Sequence, residues 1–173
     1  MRVAITGTPG TGKSTVCEVL SREGHKVVDL SDLAWKGGLI ESPDEPGLPA
    51  IVDIERLDEL PLPAGDLVFI YAHFAHLLGA DTVVVLRCSP SVLRSRLLER
   101  GWNEEKIREN LEAEAIDLIT VEAMEKNKNV CEVDTSSIGP EEAARQILEI
   151  VKGSVKGHEP GHVDWSEEIL SWY

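Results

Sequence analysis

The sequence predicts an α/β fold, a three-layer sandwich around a five-stranded parallel sheet. Two observations point there. Five short apolar runs (Val3–Ile5, Lys26–Leu30, Leu67–Tyr71, Thr82–Leu86 and Asn129–Asp134) alternate with stretches of helical spacing. The first run also leads directly into Gly7-Thr8-Pro9-Gly10-Thr11-Gly12-Lys13-Ser14, which satisfies G-x-x-x-x-G-K-[ST]. Thr15–Arg22 follows with Val16, Val19 and Leu20 on one helical face. Strand, glycine loop and helix in that order are the context that gives this motif its meaning.

The remaining elements follow in order. A second strand is entered through Gly24, and Ser31–Trp35 reads as a helical turn. Gly37-Gly38 then opens a stretch from Glu41 to Pro49 rich in proline and acid, without core periodicity. Asp53–Leu60 reads as a short helix stopped by Pro61 and Pro63. The third strand, Leu67–Tyr71, is nearly all apolar, as a central parallel strand must be when both faces are covered. Ala72–Leu78 reads as short and helical. The fourth strand ends at Arg87-Cys88-Ser89-Pro90, and Pro90 opens a helix to Arg100, closed by Gly101. Asn103 is placed to cap one long helix to about Asn127. After the fifth strand, Gly139-Pro140 starts a final helix to Lys152, and a linker leads to the tail Val163–Tyr173. The chain therefore reads as a single domain over 1–173 with an insert at about 31–62, a short lid at about 99–109 and a tail at 155–173. Ligands are expected beyond the carboxyl ends of the strands, near Ser14, Asp29, Tyr71, Arg87 and Asp134.

Composition narrows the function. The 173 residues carry 31 acidic against 17 basic side chains, a formal net charge of −14. A phosphate backbone needs a basic face, so direct DNA binding and non-specific nucleic-acid binding are not expected. The acidic surface is either simply solvated or meets a basic partner. Cys17, Cys88 and Cys131 form no C-x-x-C pair, and Cys17 and Cys131 sit in apolar-periodic segments, the pattern of buried reduced thiols. No apolar run reaches membrane-spanning length and nothing resembles a signal peptide, so the expected location is cytoplasmic, with no membrane contact.

The glycine loop predicts a nucleoside triphosphate site with Mg²⁺, and ATP is the expected nucleotide of the kinase reading below. Glycines at 7, 10 and 12 let the main chain approach a phosphate tail, and the N–H groups at the start of the helix form a nest for the anion. Gly10, Gly12 and Thr15 are read as nucleotide contacts, Lys13 as the cation on the β- and γ-phosphates, and Ser14 as the hydroxyl ligand of Mg²⁺. Arg96 and Arg100, four apart on one helical face, precede the Arg100-Gly101-Trp102-Asn103 turn and are read as charge-neutralising groups of a phosphate-closing lid. Arg87, at a strand's carboxyl end, is read as a further anion contact or else a structural ion pair. If the acceptor is a nucleoside monophosphate, its phosphate is already anionic and needs no general base. The insert would cover it, with Lys36 or Arg56 touching its phosphate and Asp53 its base or ribose. His73 is read as a polar contact near the γ-phosphate and His76 as a packing residue. Trp165 and Trp172 are read as anchors of the tail onto the body.

At this point the chain resembles a known family, the small adenylate kinases of the isoenzyme 6 or Fap7-like type. The resemblance is carried by GTPGTGKST at 7–15, Asp32-Leu33-Ala34, Ile51-Val52-Asp53 with Arg56, His73, and Val85-Leu86-Arg87. It continues through Arg96-Leu97-x-x-Arg100-Gly101-Trp102-Asn103 with Lys106, Glu109-Asn110, Glu112-Ala113-Glu114 and Asp164-Trp165. It implies a broad nucleoside monophosphate kinase, with AMP the expected acceptor, that also hydrolyses ATP. It further implies a part in maturation of the small ribosomal subunit through ribosomal protein uS11, a basic partner. Three positions depart from the family pattern. Tyr71 stands where relatives commonly carry an acid, Trp35 where an arginine often follows the D-L-A triplet, and Ile138-Gly139 where some carry a lysine near the adenine. The first implies weak turnover, because a phenol cannot hold a Mg²⁺-bound water as a carboxylate does.

Overall fold

Apolar residues at the amino end form β1 (Arg2–Thr6), buried from Val3 onward. In this computed structural model, which describes residues 1–41 and 51–171, the glycine loop follows and α1 (Lys13–Arg22) starts from it. Then come β2 (Lys26–Asp29), α2 (Leu30–Lys36), and β3 (Ile40–Glu41) with β4 (Ile51–Val52), an antiparallel ribbon. A 3-10 turn (Ile54–Glu59) leads to β5 (Val68–Tyr71), and a second (Ala75–Leu78) to β6 (Thr82–Arg87). The chain ends with α3 (Pro90–Glu99), α4 (Glu104–Ala115), α5 (Leu118–Lys126), β7 (Val130–Asp134), α6 (Pro140–Val151) and α7 (Ser166–Leu170).

The five long strands make one parallel sheet in the order β2-β5-β1-β6-β7. Strand alternation divides the core in two. Ala4, Val68, Ile70, Val83 and Val85 face α2, α5 and the second 3-10 turn, while Val3, Ile5, Phe69, Val84 and Leu86 face α1 and α6. This is the expected three-layer sandwich, and each fully buried Val, Leu or Ile contributes about 1.5–3 kcal/mol. A third apolar group, Leu93 and Leu97 with Ile107 and Leu111, zips α3 to α4. All three cysteines are free and buried. No helix among the described residues is long and apolar enough to cross a membrane.

Three details differ from the sequence reading. The ribbon of β3 and β4 was not expected; two residues per strand are too few to carry alternation. The segment before Pro61 is a 3-10 turn rather than an α-helix. The stretch beyond Glu41 expected to be an excursion, and Trp172, lie outside the described residues. The long helix from Asn103 is two helices, because Asp117 takes a left-handed φ of 57° and ends the first.

That break has a cause in Arg87, which corrects its reading as an anion contact. Its side chain is 1% exposed and its guanidinium is fully engaged. Nε donates to Glu114 Oε1 at 2.7 Å, Nη1 to Glu132 and Nη2 to the Asp117 carboxylate that the chain reversal delivers. Burial alone would lower its pKa, but Glu114, Glu132 and Asp117 outweigh that and hold it charged. Glu132 is further held by the Gly161 N–H (2.9 Å), and Glu114 by the Trp165 indole N–H (3.3 Å), which anchors the tail. Arg87 is thus the ion-pair alternative of the sequence reading. Replacing it by Met leaves buried carboxylates without a cation. We expect Arg87→Met to lose about 3–5 kcal/mol in urea unfolding, with little change in KM for nucleotide among molecules that stay folded.

Candidate active site

The loop between β1 and α1 is built by packing as much as by flexibility. A Cβ on Gly7 would come 2.3 Å from the Leu86 carbonyl oxygen, and one on Gly10 would come 2.7 Å from Leu93 Cδ1. These two glycines press the loop onto the end of β6 and onto α3. Gly12 differs: its φ is 101°, it precedes the first turn of α1, and a Cβ there would meet nothing within 4 Å. Its main chain therefore borders open space where an anion would sit.

Side chains outside the motif hold the loop. Thr8 Oγ1 donates to Glu114 Oε2 at 2.6 Å, so the buried ion cluster grips it directly. The Thr135 hydroxyl, just after β7, lies 2.8 Å from the Thr11 carbonyl oxygen. Arg96, half-buried, donates to the carbonyls of Gly10 (3.4 Å) and Thr135 (2.7 Å). Glu114 appeared in the sequence only as part of a family pattern. Thr135 carried no signal, because its partner is 124 residues away.

Two cavities flank the loop. One of about 430 Å³ is bordered by Gly10, Gly12, Thr15, Arg96, Arg100 and the Ile138-Gly139-Pro140 turn. The other, of about 220 Å³, is bordered by Lys13, Ser14, Asp29, Tyr71, His73 and Arg100, among others. Gly10, Gly12 and Arg100 border both, so the cavities adjoin at the loop. A groove of about 1010 Å³ between α3, α4 and α7 has no part in the loop.

The electrostatics suit a polyanion. Lys13 Nζ donates to the Gly7 and Thr8 carbonyls at 2.7 and 3.0 Å. Burial, and then the positive charge of Arg100, push its pKa down to about 7. His73 is lowered by burial, then by Lys13 and His76, and is neutral at pH 7. His76 is buried, with Nδ1 3.0 Å from Thr6 Oγ1, and packs as expected.

The other expected residues separate. Ser14 and Thr15 are exposed at the loop, on the smaller and larger cavity respectively. Lys36 pairs with Asp32 at 2.6 Å, and Arg56 with Glu59 at 2.9 Å, both exposed. The Asp53 N–H donates to the Leu39 carbonyl at 2.8 Å. None of these three borders a loop cavity. Arg96 is engaged by main-chain carbonyls on the larger cavity, which makes it a brace of the loop in this structure. Of the residues that border the smaller cavity, Ser31 was not singled out, and Asp29 was named only as one of the strand ends near which ligands were expected. Their signal was an Asp at a strand end, two before a Ser, the pattern of a helix cap.

A model of the AAA domain family matches residues 3–117. A protein of Archaeoglobus fulgidus named "Putative adenylate kinase" is 43% identical over 98% of this chain and 94% of its own. Its namesake from Thermococcus kodakarensis is 42% identical over 99% and 98%. The chain belongs to this archaeal adenylate kinase family. Among solved structures, TT1252 from Thermus thermophilus matches 90% of this chain and 97% of its own with a TM-score of 0.56 at 18% identity. A gluconokinase from Sinorhizobium meliloti matches 90% and 94% with a TM-score of 0.52, also at 18% identity. At that identity the structural likeness speaks to the fold alone, and it agrees with the parallel sheet.

For this adenylate kinase family member the depressed Lys13 has a measurable consequence. The charge of a phosphate held at Lys13 would restore its proton, so its pKa should be higher with nucleotide bound than without. Below about pH 7 the ammonium is present in both states; above it the free protein has lost a proton that binding must recover. From pH 7.5 to 9, where the triphosphate is fully ionised, ATP affinity should fall with rising pH, by up to about tenfold per unit. Calorimetry in buffers of different ionisation enthalpy should find nearly one proton taken up per ATP near pH 8, and none in Lys13→Ala.

Proposed function

We propose that this protein is a nucleoside monophosphate kinase catalysing ATP + AMP to 2 ADP. The observation that carries the reading is the pair of cavities adjoining at the glycine loop, with Arg100 on both. ATP lies across the loop with its base toward the larger cavity, and the acceptor phosphate enters the smaller one. The acceptor oxygen, already anionic, attacks the γ-phosphorus; the bond from that phosphorus to the β–γ bridging oxygen breaks, and ADP leaves. No proton has to be removed. Mg²⁺ bound with the nucleotide would neutralise charge on the β- and γ-phosphates. The residues present fit that ion: Ser14 offers a hydroxyl, and a Mg²⁺ that keeps most of its water needs no cluster of three protein ligands.

The chain's own groups do the rest. Main-chain N–H groups from Gly10 to Ser14 hold the phosphates, and Lys13 moves from the loop carbonyls onto them. Arg100 serves the charge that develops between donor and acceptor. It sits on the turn between α3 and α4, proposed as the short lid and braced by Arg94–Glu104 (2.8 Å) and by Lys106 over Trp102 (4.1 Å). Lys36, Asp53 and Arg56 carry no weight in this proposal; Ser31, His73 and Arg100 take the acceptor side. Slow ATP hydrolysis is the same transfer with water as acceptor.

A second role is favoured by the surface. A net charge of −14 is joined by exposed apolar side chains at Ile116, just before α5, and at Leu118, Val121 and Met124 along it. An acidic surface with an apolar stripe suits a basic protein partner, which supports a part in small-subunit maturation through ribosomal protein uS11. Pull-down of uS11 with and without ATP tests it, and no capture in either state removes it.

The kinase reading is tested by coupled assay of ADP formation with AMP, CMP and small alcohols as acceptors. AMP should stimulate turnover well above hydrolysis. Lys13→Ala should abolish it, and Arg100→Ala should lower kcat by roughly 100–1000-fold. Full activity in Lys13→Ala would remove the assignment.

A further inference from the structure

The smaller cavity has one acidic side chain on its border among the described residues, Asp29. Asp29 ends β2, Tyr71 ends β5, and the two are register partners. The Tyr71 hydroxyl donates to Asp29 Oδ2 at 2.9 Å. The N–H groups of Ser31 and Asp32 donate to Oδ1 at 2.9 and 3.2 Å. Both oxygens are therefore oriented by neutral donors, and among the described residues no cation forms an ion pair with this carboxylate. Each oxygen still has accepting capacity.

Helix capping accounts for Oδ1 alone. It does not account for a phenol on Oδ2, nor for a carboxylate beside Ser14 in a cavity built for phosphates, where a bare negative charge would repel the substrate. A hard divalent cation resolves that conflict, since a carboxylate favours the hydrated ion that accompanies the nucleotide. Other carboxylates near the loop are committed: Glu114 accepts from Thr8, Arg87 and Trp165. Burial, then the bond to Asp29, raise the Tyr71 pKa, so the phenol remains a donor through mildly alkaline pH.

Resting on the kinase reading above, we propose that Asp29 is the carboxylate that holds the water shell of nucleotide-bound Mg²⁺ together with Ser14, and that Tyr71 is its positioning residue. The negative charge needed at this edge of the sheet sits on β2, and the neighbouring strand supplies the hydrogen bond that aims it.

Calorimetric titration of the full chain with a non-hydrolysable ATP analogue, in Mg²⁺ or in EDTA, tests this. Wild type should bind more tightly in Mg²⁺. Asp29→Asn keeps a good helix cap and removes a charge that repels phosphate, so in EDTA it should bind at least as tightly as wild type. In Mg²⁺ it should lose the gain, the affinity of the complex for the ion falling roughly 10–100-fold. Tyr71→Phe should lose part of the gain. Combining Asp29→Asn with Tyr71→Asp returns a carboxylate to the adjoining strand end and should restore it, a recovery that a purely structural role for Asp29 would not produce. A full Mg²⁺ gain in Asp29→Asn overturns the proposal and leaves the kinase reading standing. Loss of binding in both conditions, unrestored by the double substitution, overturns it in favour of a structural role. A wild type that binds no analogue in either condition overturns the kinase reading itself.

Discussion

One buried contact, Arg87 Nε on Glu114 Oε1, joins the parts of the molecule that must agree for the loop to hold its shape. Arg87 ends β6, and Glu114 lies near the end of α4, the helix after the turn that carries Arg100. Through its other oxygen Glu114 takes the Thr8 hydroxyl, and through the first it also takes the indole of Trp165. Sheet, loop, helical hairpin and tail therefore meet on one carboxylate. Such a cluster is a poor source of net stability, because desolvating several charges costs about as much as their attraction returns. Its effect is positional. A loop whose peptide groups must face a phosphate needs its neighbours fixed, and a buried ion pair is far costlier to break than to displace slightly.

The same loop lies in a protein of net charge −14, and on the kinase reading it has to attract a polyanion. Distant surface charge is screened beyond about 8 Å at physiological ionic strength, so the local cations decide. Lys13 and Arg100 stand close enough for Arg100 to lower Lys13, and burial lowers it further. The site thus avoids two full charges in a half-buried space, and on the kinase reading a triphosphate would bring the charge that makes the second one favourable. On the kinase reading, recognition and protonation would then be one event.

The sequence carried the sheet and the loop because both are local signals: apolar runs of strand length, and four fixed motif positions in eight residues. What it did not carry depends on partners distant in the chain. Arg87 at a strand end was open between an anion contact and a structural ion pair until Glu114, Asp117 and Glu132 were found around it. The helix expected from Asn103 to about Asn127 breaks at Asp117, whose carboxylate pairs with Arg87, in a stretch where Ile116, Asp117, Ile119, Thr120 and Val121 are themselves weak helix formers. Lys36 and Arg56 looked available because each sits in an acidic, loosely patterned insert, yet each has an acid three or four residues away on its own turn and pairs with it. Arg96 was read as a charge-neutralising group of the lid from its helical face, but it donates to the Gly10 and Thr135 carbonyls.

Tyr71 illustrates a more general consequence of parallel sheets. Read along its own strand, a phenol where a carboxylate would serve Mg²⁺ signals a weakened site. Read across the sheet, position 71 faces position 29, and residues that share a register at the carboxyl edge open on the same crevice. A function that needs one negative charge at that edge constrains the pair of positions more than either one, provided the second residue can orient the first. Asp29 with a phenol on Oδ2 meets that condition, whereas Asp29 beside an apolar residue would have one oxygen free to turn. The relevant unit for judging such a site is therefore the row of strand ends, and a departure at one of them has meaning only once its neighbour in the row is known.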